Sequence, residues 1–148
     1  MKIRIELDDS LDDVEVVIKA AALTDQVEQL QQILSQMKQP SLMFYKDASE
    51  YFVKLEEILF FETNGTKIYA HSRTEAYEVK LKLYELEEVL PMTFCRISKS
   101  GIANVREVYS LDKSFSGTSR IRFAGTHKVI HVSRHYYQLL KERLQEVR

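Results

Sequence analysis

Three short stretches of this chain combine a long cation with hydroxyl or amide side chains. They are Asn64-Gly65-Thr66-Lys67, Arg96-Ile97-Ser98-Lys99-Ser100 and Ser133-Arg134-His135-Tyr136. Cations of this kind neutralise phosphates, and hydroxyls beside free backbone N–H groups fix the register of a bound phosphate backbone. An arginine on a turn can also make a bidentate contact to guanine O6 and N7. Any one of these stretches is more often a solvated polar turn, and spacing alone does not say whether the three converge.

The other chemistry-bearing residues assemble into no catalytic set. His127, His131 and His135 recur every four residues, but the first two fall in or beside a predicted strand, and the His-Glu spacing of a helical zinc motif is missing. Nucleophile motifs are absent, and the 4 glycines form no phosphate-cradling loop. Neither an enzyme nor a metal or other cofactor is therefore expected. Asp8-Asp9 follows a predicted strand as the acidic pair of a receiver domain does. The forty residues before Ser41 are too few for that five-stranded fold, and a turn is expected there instead.

The 148 residues carry a net charge of only -1, but unevenly. Residues 1–40 and 41–91 are each at -4, whereas 92–148 stand at +7. Such a split favours a polyanion-facing end and a separate acidic part, although a basic surface alone is also an ordinary solvated one. The single cysteine, Cys95, rules out an internal disulfide, and no apolar run is long enough to span a bilayer. Residues 2–7 alternate apolar and charged side chains, unlike a signal peptide. A cytoplasmic protein with no direct membrane insertion is expected.

The elements that must position these residues follow from periodicity. Lys2–Leu7 and Val14–Ala20 read as strands. Asp25 is predicted to cap a helix whose Leu23, Val27, Leu30, Leu34 and Met37 form one apolar stripe. That stripe fits packing within the chain and fits self-association. Gln39-Pro40-Ser41 ends the helix and divides the chain into residues 1–41 and 42–148. Beyond it, period-two segments predict strands at Leu42–Lys46, Tyr51–Leu55, Ile58–Thr63, Lys67–His71, Ala76–Lys80, Phe94–Ser98, Ile102–Val105, Val108–Phe115, Ser119–Phe123 and Lys128–Val132. Asn64-Gly65 is a hairpin turn signal. Ser116-Gly117 and Ala124-Gly125-Thr126 are further turns. Leu83, Leu86, Val89 and Leu90 make a short helix stopped by Pro91, and Ser133 is predicted to cap a last helix carrying Tyr137, Leu140 and Leu144.

In this arrangement four segments resemble the LytTR DNA-binding domain family. Ile58-Leu59-Phe60-Phe61-Glu62-Thr63-Asn64-Gly65 with Ile68-Tyr69-Ala70-His71 is similar to its opening, and Tyr84-Glu85-Leu86-Glu87-Glu88-Val89-Leu90-Pro91 to its short helix. Phe94-Cys95-Arg96-Ile97-Ser98-Lys99-Ser100 through Ala103-Asn104-Val105 resembles its most recognisable stretch. Val132-Ser133-Arg134 with Leu140-Lys141 resembles its ending. The resemblance covers residues 42–148.

The resemblance implies a mainly β (α+β) fold with ten strands, preceded here by a small strand–strand–helix segment. It implies loop residues entering successive major grooves of double-stranded DNA, with two protomers on paired direct repeats. Carried over by motif, Arg134 reads a base and Asn64–Lys67 form the other reading loop, including Thr66. Lys99 and Ser100 lie near the minor groove and phosphates, with Ser98, Arg96 and His135 beside these contacts, and Asn104 bonds the following turn. In place of the receiver domain common in the family stand about forty residues, as in stand-alone regulators encoded beside a small membrane protein that controls them. The expected function is a homodimeric, sequence-specific transcriptional regulator, with the Leu23–Met37 helix as dimer or partner surface. The alternative is a protein-interaction module coupled to a membrane partner, with weak or no DNA binding.

Overall fold

Phe60 and Phe61 follow one another in a strand, so they point to opposite faces. Both are buried, at 2% and 0% exposure. A sheet that buries both faces needs a cover on each side, and this requirement sets the architecture.

The computed structural model describes residues 1–38, 42–114 and 117–147. Its elements are α1 (Asp25–Lys38), β1 (Phe44–Lys46), β2 (Ser49–Tyr51), β3 (Phe60–Asn64), β4 (Lys67–His71), β5 (Ala76–Val79), α2 (Leu83–Val89), β6 (Phe94–Ser98), β7 (Gly101–Asn104), β8 (Val108–Lys113), β9 (Ser119–Phe123), β10 (Val129–Val132) and α3 (Arg134–Val147). The strands form a seven-stranded sheet in the order β2-β1-β5-β4-β3-β7-β6 and a three-stranded sheet in the order β10-β9-β8. All pairings are antiparallel. This is the ten-stranded, mainly β fold expected from the sequence.

On one face of the large sheet, Phe61, Ala70, Phe94 and Ile102 pack under Leu83 and Leu86 of α2. On the other, Phe60, Cys95, Ile97 and Ala103 meet Ile121, Phe123, Ile130 and Val132 of the small sheet, and Leu140 of α3 closes that layer. Phe60 stacks on Phe123 at 5.6 Å between ring centroids, while Phe61 lies 5.7 Å from Phe94 on the opposite side.

Two polar devices lock the layers. Buried Asn104 donates from Nδ2 to the Ile58 carbonyl at 3.0 Å and accepts from the Arg106 N–H at 3.2 Å, bonding the following turn as expected. At the far end of β4, Arg73 donates to the Ala124 carbonyl at 2.8 Å and pairs with Glu107 at 2.7 Å. Beside it Lys128 donates to the Glu75 carbonyl at 2.6 Å and to His71 Nδ1 at 3.2 Å, so the neutral His71 ring carries its proton on Nε2. Burial, and secondarily the Lys128 charge, hold the His71 pKa down to about 4.

Several expectations are corrected. Residues 1–24 contain no strand: Lys2–Leu7 and Val14–Ala20 join neither sheet, because both cores are filled by residues from 44 onward and offer these segments no partner. The N-terminal segment is an exposed, irregular arm with a turn at Asp9-Ser10, followed by one helix. Thr24, not Asp25, caps α1, its Oγ1 accepting from the Val27 N–H at 3.4 Å. On α1, Val27, Leu30 and Leu34 are half-buried while Leu23 and Met37 are 74% and 79% exposed, and none of the five enters either core. The strand expected at Tyr51–Leu55 lies earlier, because the chain reverses at Asp47 (φ 55), and Leu55–Glu57 is a helical turn. The β3–β4 turn is centred on Gly65-Thr66, one residue later than predicted; only Gly65 has positive φ (65), as in a type II′ hairpin. Ser133 does not cap α3: its buried Oγ has no hydrogen-bond partner among the described residues. The predicted boundary at Gln39-Pro40-Ser41, together with Phe115 and Ser116, lies outside the described residues. No described helix is long and apolar enough to cross a membrane.

Two outcomes are expected. Asn104→Ala strands the buried Ile58 carbonyl and the Arg106 N–H and should cost about 1–3 kcal/mol in urea unfolding. Because unfolded His71 takes up its proton near 6.5 and the folded residue only near 4, stability should fall as pH drops through that window. The loss is on the order of 2 kcal/mol, and His71→Gln should flatten that part of the stability–pH curve.

Candidate nucleic-acid interface

Antiparallel pairing brings the polar stretches together. Since β3 lies between β4 and β7, the β3–β4 hairpin and the β6–β7 turn emerge at the same end of the large sheet, where the Thr63 N–H donates to the Ser100 carbonyl at 2.9 Å. The start of α3 reaches that end because the Ser133 N–H donates to the Ile97 carbonyl at 2.9 Å, tying β10 to β6 across the sheets. Ile130 seats under the same corner, its Cδ1 2.9 Å from where a Cβ on Gly101 would lie. The three stretches picked out in the sequence therefore meet on one surface.

Their side chains differ in availability. Arg96 is largely committed within the protein: Nε donates to the Ser98 carbonyl and Nη2 to the Lys99 carbonyl, both at 2.6 Å, while Nη1 pairs with Glu87 of α2 at 3.2 Å. It shapes the turn more than it faces out. Within the turn, Ser98 Oγ accepts from the Ser100 N–H at 3.1 Å. Lys99 and Ser100 are exposed at its tip, as are Asn64, Thr66 and Lys67 in the hairpin, Lys67 lying 3.5 Å from Glu78. Arg134, the first residue of α3, is exposed and lays its guanidinium over Gly117, within 2.1 Å of where a Cβ would stand. Gly117 also has φ +87, so both space and backbone call for glycine there. His135 is exposed and meets Tyr136 edge-on at 4.8 Å.

Further outward-facing cations, which the sequence reading missed, lie on the small sheet. Along β9, Ser119, Ile121 and Phe123 are buried while Arg120 and Arg122 face outward. A groove beside Gly117 is lined by Asp112, Lys113, Ser114, Thr118, Ser119, Arg120 and His131. Asp112 offsets part of this charge, 2.8 Å from Arg122 and 3.9 Å from Arg120. The strict alternation of Ser119–Phe123 carried the signal that the two arginines share a face. On β3, half-buried Glu62 has its pKa raised by burial, against the opposing pull of His131. Hydroxyls, amides and cations displayed this way can hold a polyanion. Among the described residues, no group of acidic, His or Cys side chains is placed to hold a metal ion.

Residues 48–145 match the family described as the LytTr DNA-binding domain. The chain belongs to that family. It is a family of DNA-binding domains and not of enzymes. A solved LytTr DNA-binding domain from Bacillus cereus superposes with a TM-score of 0.64 at 21% identity, covering 72% of this chain and 98% of that one. Proteins named uncharacterised HTH-type transcriptional regulators from Staphylococcus aureus strains bovine RF122 / ET3-1 and NCTC 8325 / PS 47 are each 30% identical over 128 residues, 86% of both chains. Residues 42–148 number only 107, so those alignments extend into the N-terminal segment. Despite the relatives' name, α1, α2 and α3 are separated here by strands, and no two described helices form a helix-turn-helix.

Gly117→Ala tests the seat of Arg134. It should strain the backbone by about 1 kcal/mol or more and displace the guanidinium, moving the Arg134 Nε–H resonance. An unmoved resonance would mean that the side chain is not held there.

Proposed function

We propose that this protein is a sequence-specific transcriptional regulator that binds double-stranded DNA through the three-loop surface. Arg134 reads a base, the Asn64–Lys67 hairpin enters the neighbouring major groove, and Lys99 and Ser100 hold the phosphates between them. Arg96 acts through the turn it shapes. Two protomers occupy paired direct repeats, and the apolar stripe of Leu23, Val27, Leu30, Leu34 and Met37 contributes to their association. The observation that carries this reading is the meeting of three separate hydroxyl- and cation-bearing loops at one end of the sandwich. Membership of a DNA-binding family and the regulator names of the Staphylococcus aureus relatives support it.

The exposed apolar side chains of the first 37 residues favour a second reading, a module that binds a small membrane protein. The two part on salt dependence, since phosphate contacts release counterions and apolar docking does not.

In a salt-titrated selection from genomic fragments, the intact protein should enrich paired repeats. Arg134→Ala should lose about 1–3 kcal/mol at one base pair and relax preference there. Lys99→Ala should weaken binding to all sequences and lower the salt slope by about one. Weak binding common to all three proteins, with no enriched repeat, would favour the interaction module.

A further inference from the structure

We propose that residues 2–8 are a self-complementary β-strand through which two copies of this chain dimerise, pairing antiparallel about a two-fold axis at Ile5. This rests on the reading of the protein as a pair of DNA-binding protomers and supplies the joint between them; the two-fold axis relates the arms alone, not the DNA-binding surfaces, which follow the direct repeats.

The segment has what a strand needs except a partner. Ile3, Ile5 and Leu7 alternate with Lys2, Arg4 and Glu6, and the three apolar side chains are 83%, 81% and 95% exposed. Residues 2–7 belong to neither sheet, so their rows of backbone donors and acceptors are open to another strand. Of the nineteen large hydrophobic side chains exposed among the described residues, twelve lie in the first 37, the part that enters neither core. Concentrated apolar exposure of this kind marks an interaction surface.

Charge selects a second copy as the occupant. With the axis at Ile5, Arg4 faces Glu6 of the second copy, Lys2 faces Asp8, Ile3 faces Leu7, and Ile5 faces itself. Each charge meets its opposite and each apolar residue an apolar one, with the two sets on separate faces. Axes at Arg4 or Glu6 set like charges face to face, and a one-residue slip opposes charged to apolar side chains. In the single chain Arg4 bonds its own Glu6 at 2.8 Å, both three-quarters exposed, so these charges remain open to a facing strand. Val14–Ala20 has the same property about Val17, with Glu15 opposite Lys19 and Val16 opposite Ile18.

Sedimentation of the full chain at micromolar concentration should give a dimer. R4E or E6R alone should weaken it at least tenfold, and the combined R4E/E6R should restore it. Under oxidising conditions I5C should cross-link two copies, because facing Cα atoms of an antiparallel pair are about 4.5–5.5 Å apart, within disulfide reach. I3C should not cross-link, whereas I3C/L7C should; the native Cys95 is buried. Thermal unfolding should not change, since the arm lies outside both cores. On DNA, R4E should keep its affinity for a single half-site and lose about a hundredfold on the paired site. A monomeric full chain, a dimer indifferent to R4E and E6R, or cross-linking of I3C as readily as I5C would overturn the proposal. Failure of the unaltered protein to bind any half-site would overturn the DNA reading while leaving the arm pairing to be judged by sedimentation and cross-linking.

Discussion

The side-by-side burial of Phe60 and Phe61 is the constraint from which the rest of the domain follows. Two aromatic rings on opposite faces of one central strand demand two covers. The chain supplies α2 on one side and the small sheet with α3 on the other. Once β3 is fixed between β4 and β7, both adjoining turns must leave at its end, and the packing of β10 on β6 delivers the start of α3 to the same corner. The candidate interface is thus a geometrical result of how the core is closed. Its loops need little apolar contact of their own to be held in position.

Most of the elements beyond residue 42 were legible in the sequence, because half-buried strands enforce period-two alternation; β4, β6 and β9 fall where the pattern placed them. Position within a turn was less legible. Asn64 and Gly65 both tolerate positive φ, and only the paired register shows that Gly65-Thr66 form the centre. The strand order was not legible, since the pairing of β3 with β7 joins residues some forty positions apart. The N-terminal strands misled for a related reason: alternation reports a capacity to pair, and Lys2–Leu7 finds no pairing partner among the described residues of its own chain.

The candidate site was legible in part. Its three loops carry recognisable residue types, but the commitment of Arg96 to two carbonyls and a glutamate depends on how the turn folds back, which no spacing reveals. Charge is also divided between the two ends of the sandwich. At the far end, Lys46 is tied to Glu75 within the large sheet, while Arg73 and Lys128 join the layers through Glu107 and backbone carbonyls. At the loop end, Lys99 enters none of the ion pairs among the described residues, and Arg134 is exposed. A net charge of -1 therefore conceals an uneven distribution, with residues 92–148 at +7 and the two preceding parts each at -4.

The internal use of Arg96 has an evolutionary consequence. Its guanidinium braces the turn from behind through the Ser98 and Lys99 carbonyls, so the bend takes nothing from the side chain at position 99, while Ser100 adds only a 3.3 Å hydroxyl contact to Ser98. A rigid frame of this sort loses little freedom when it docks. It also separates form from recognition: the tip can be rewritten residue by residue without refolding the bend beneath it. Descendants of such a protein could vary the charge and reach of the tip in single steps, with the arginine behind the turn as the part that must stay.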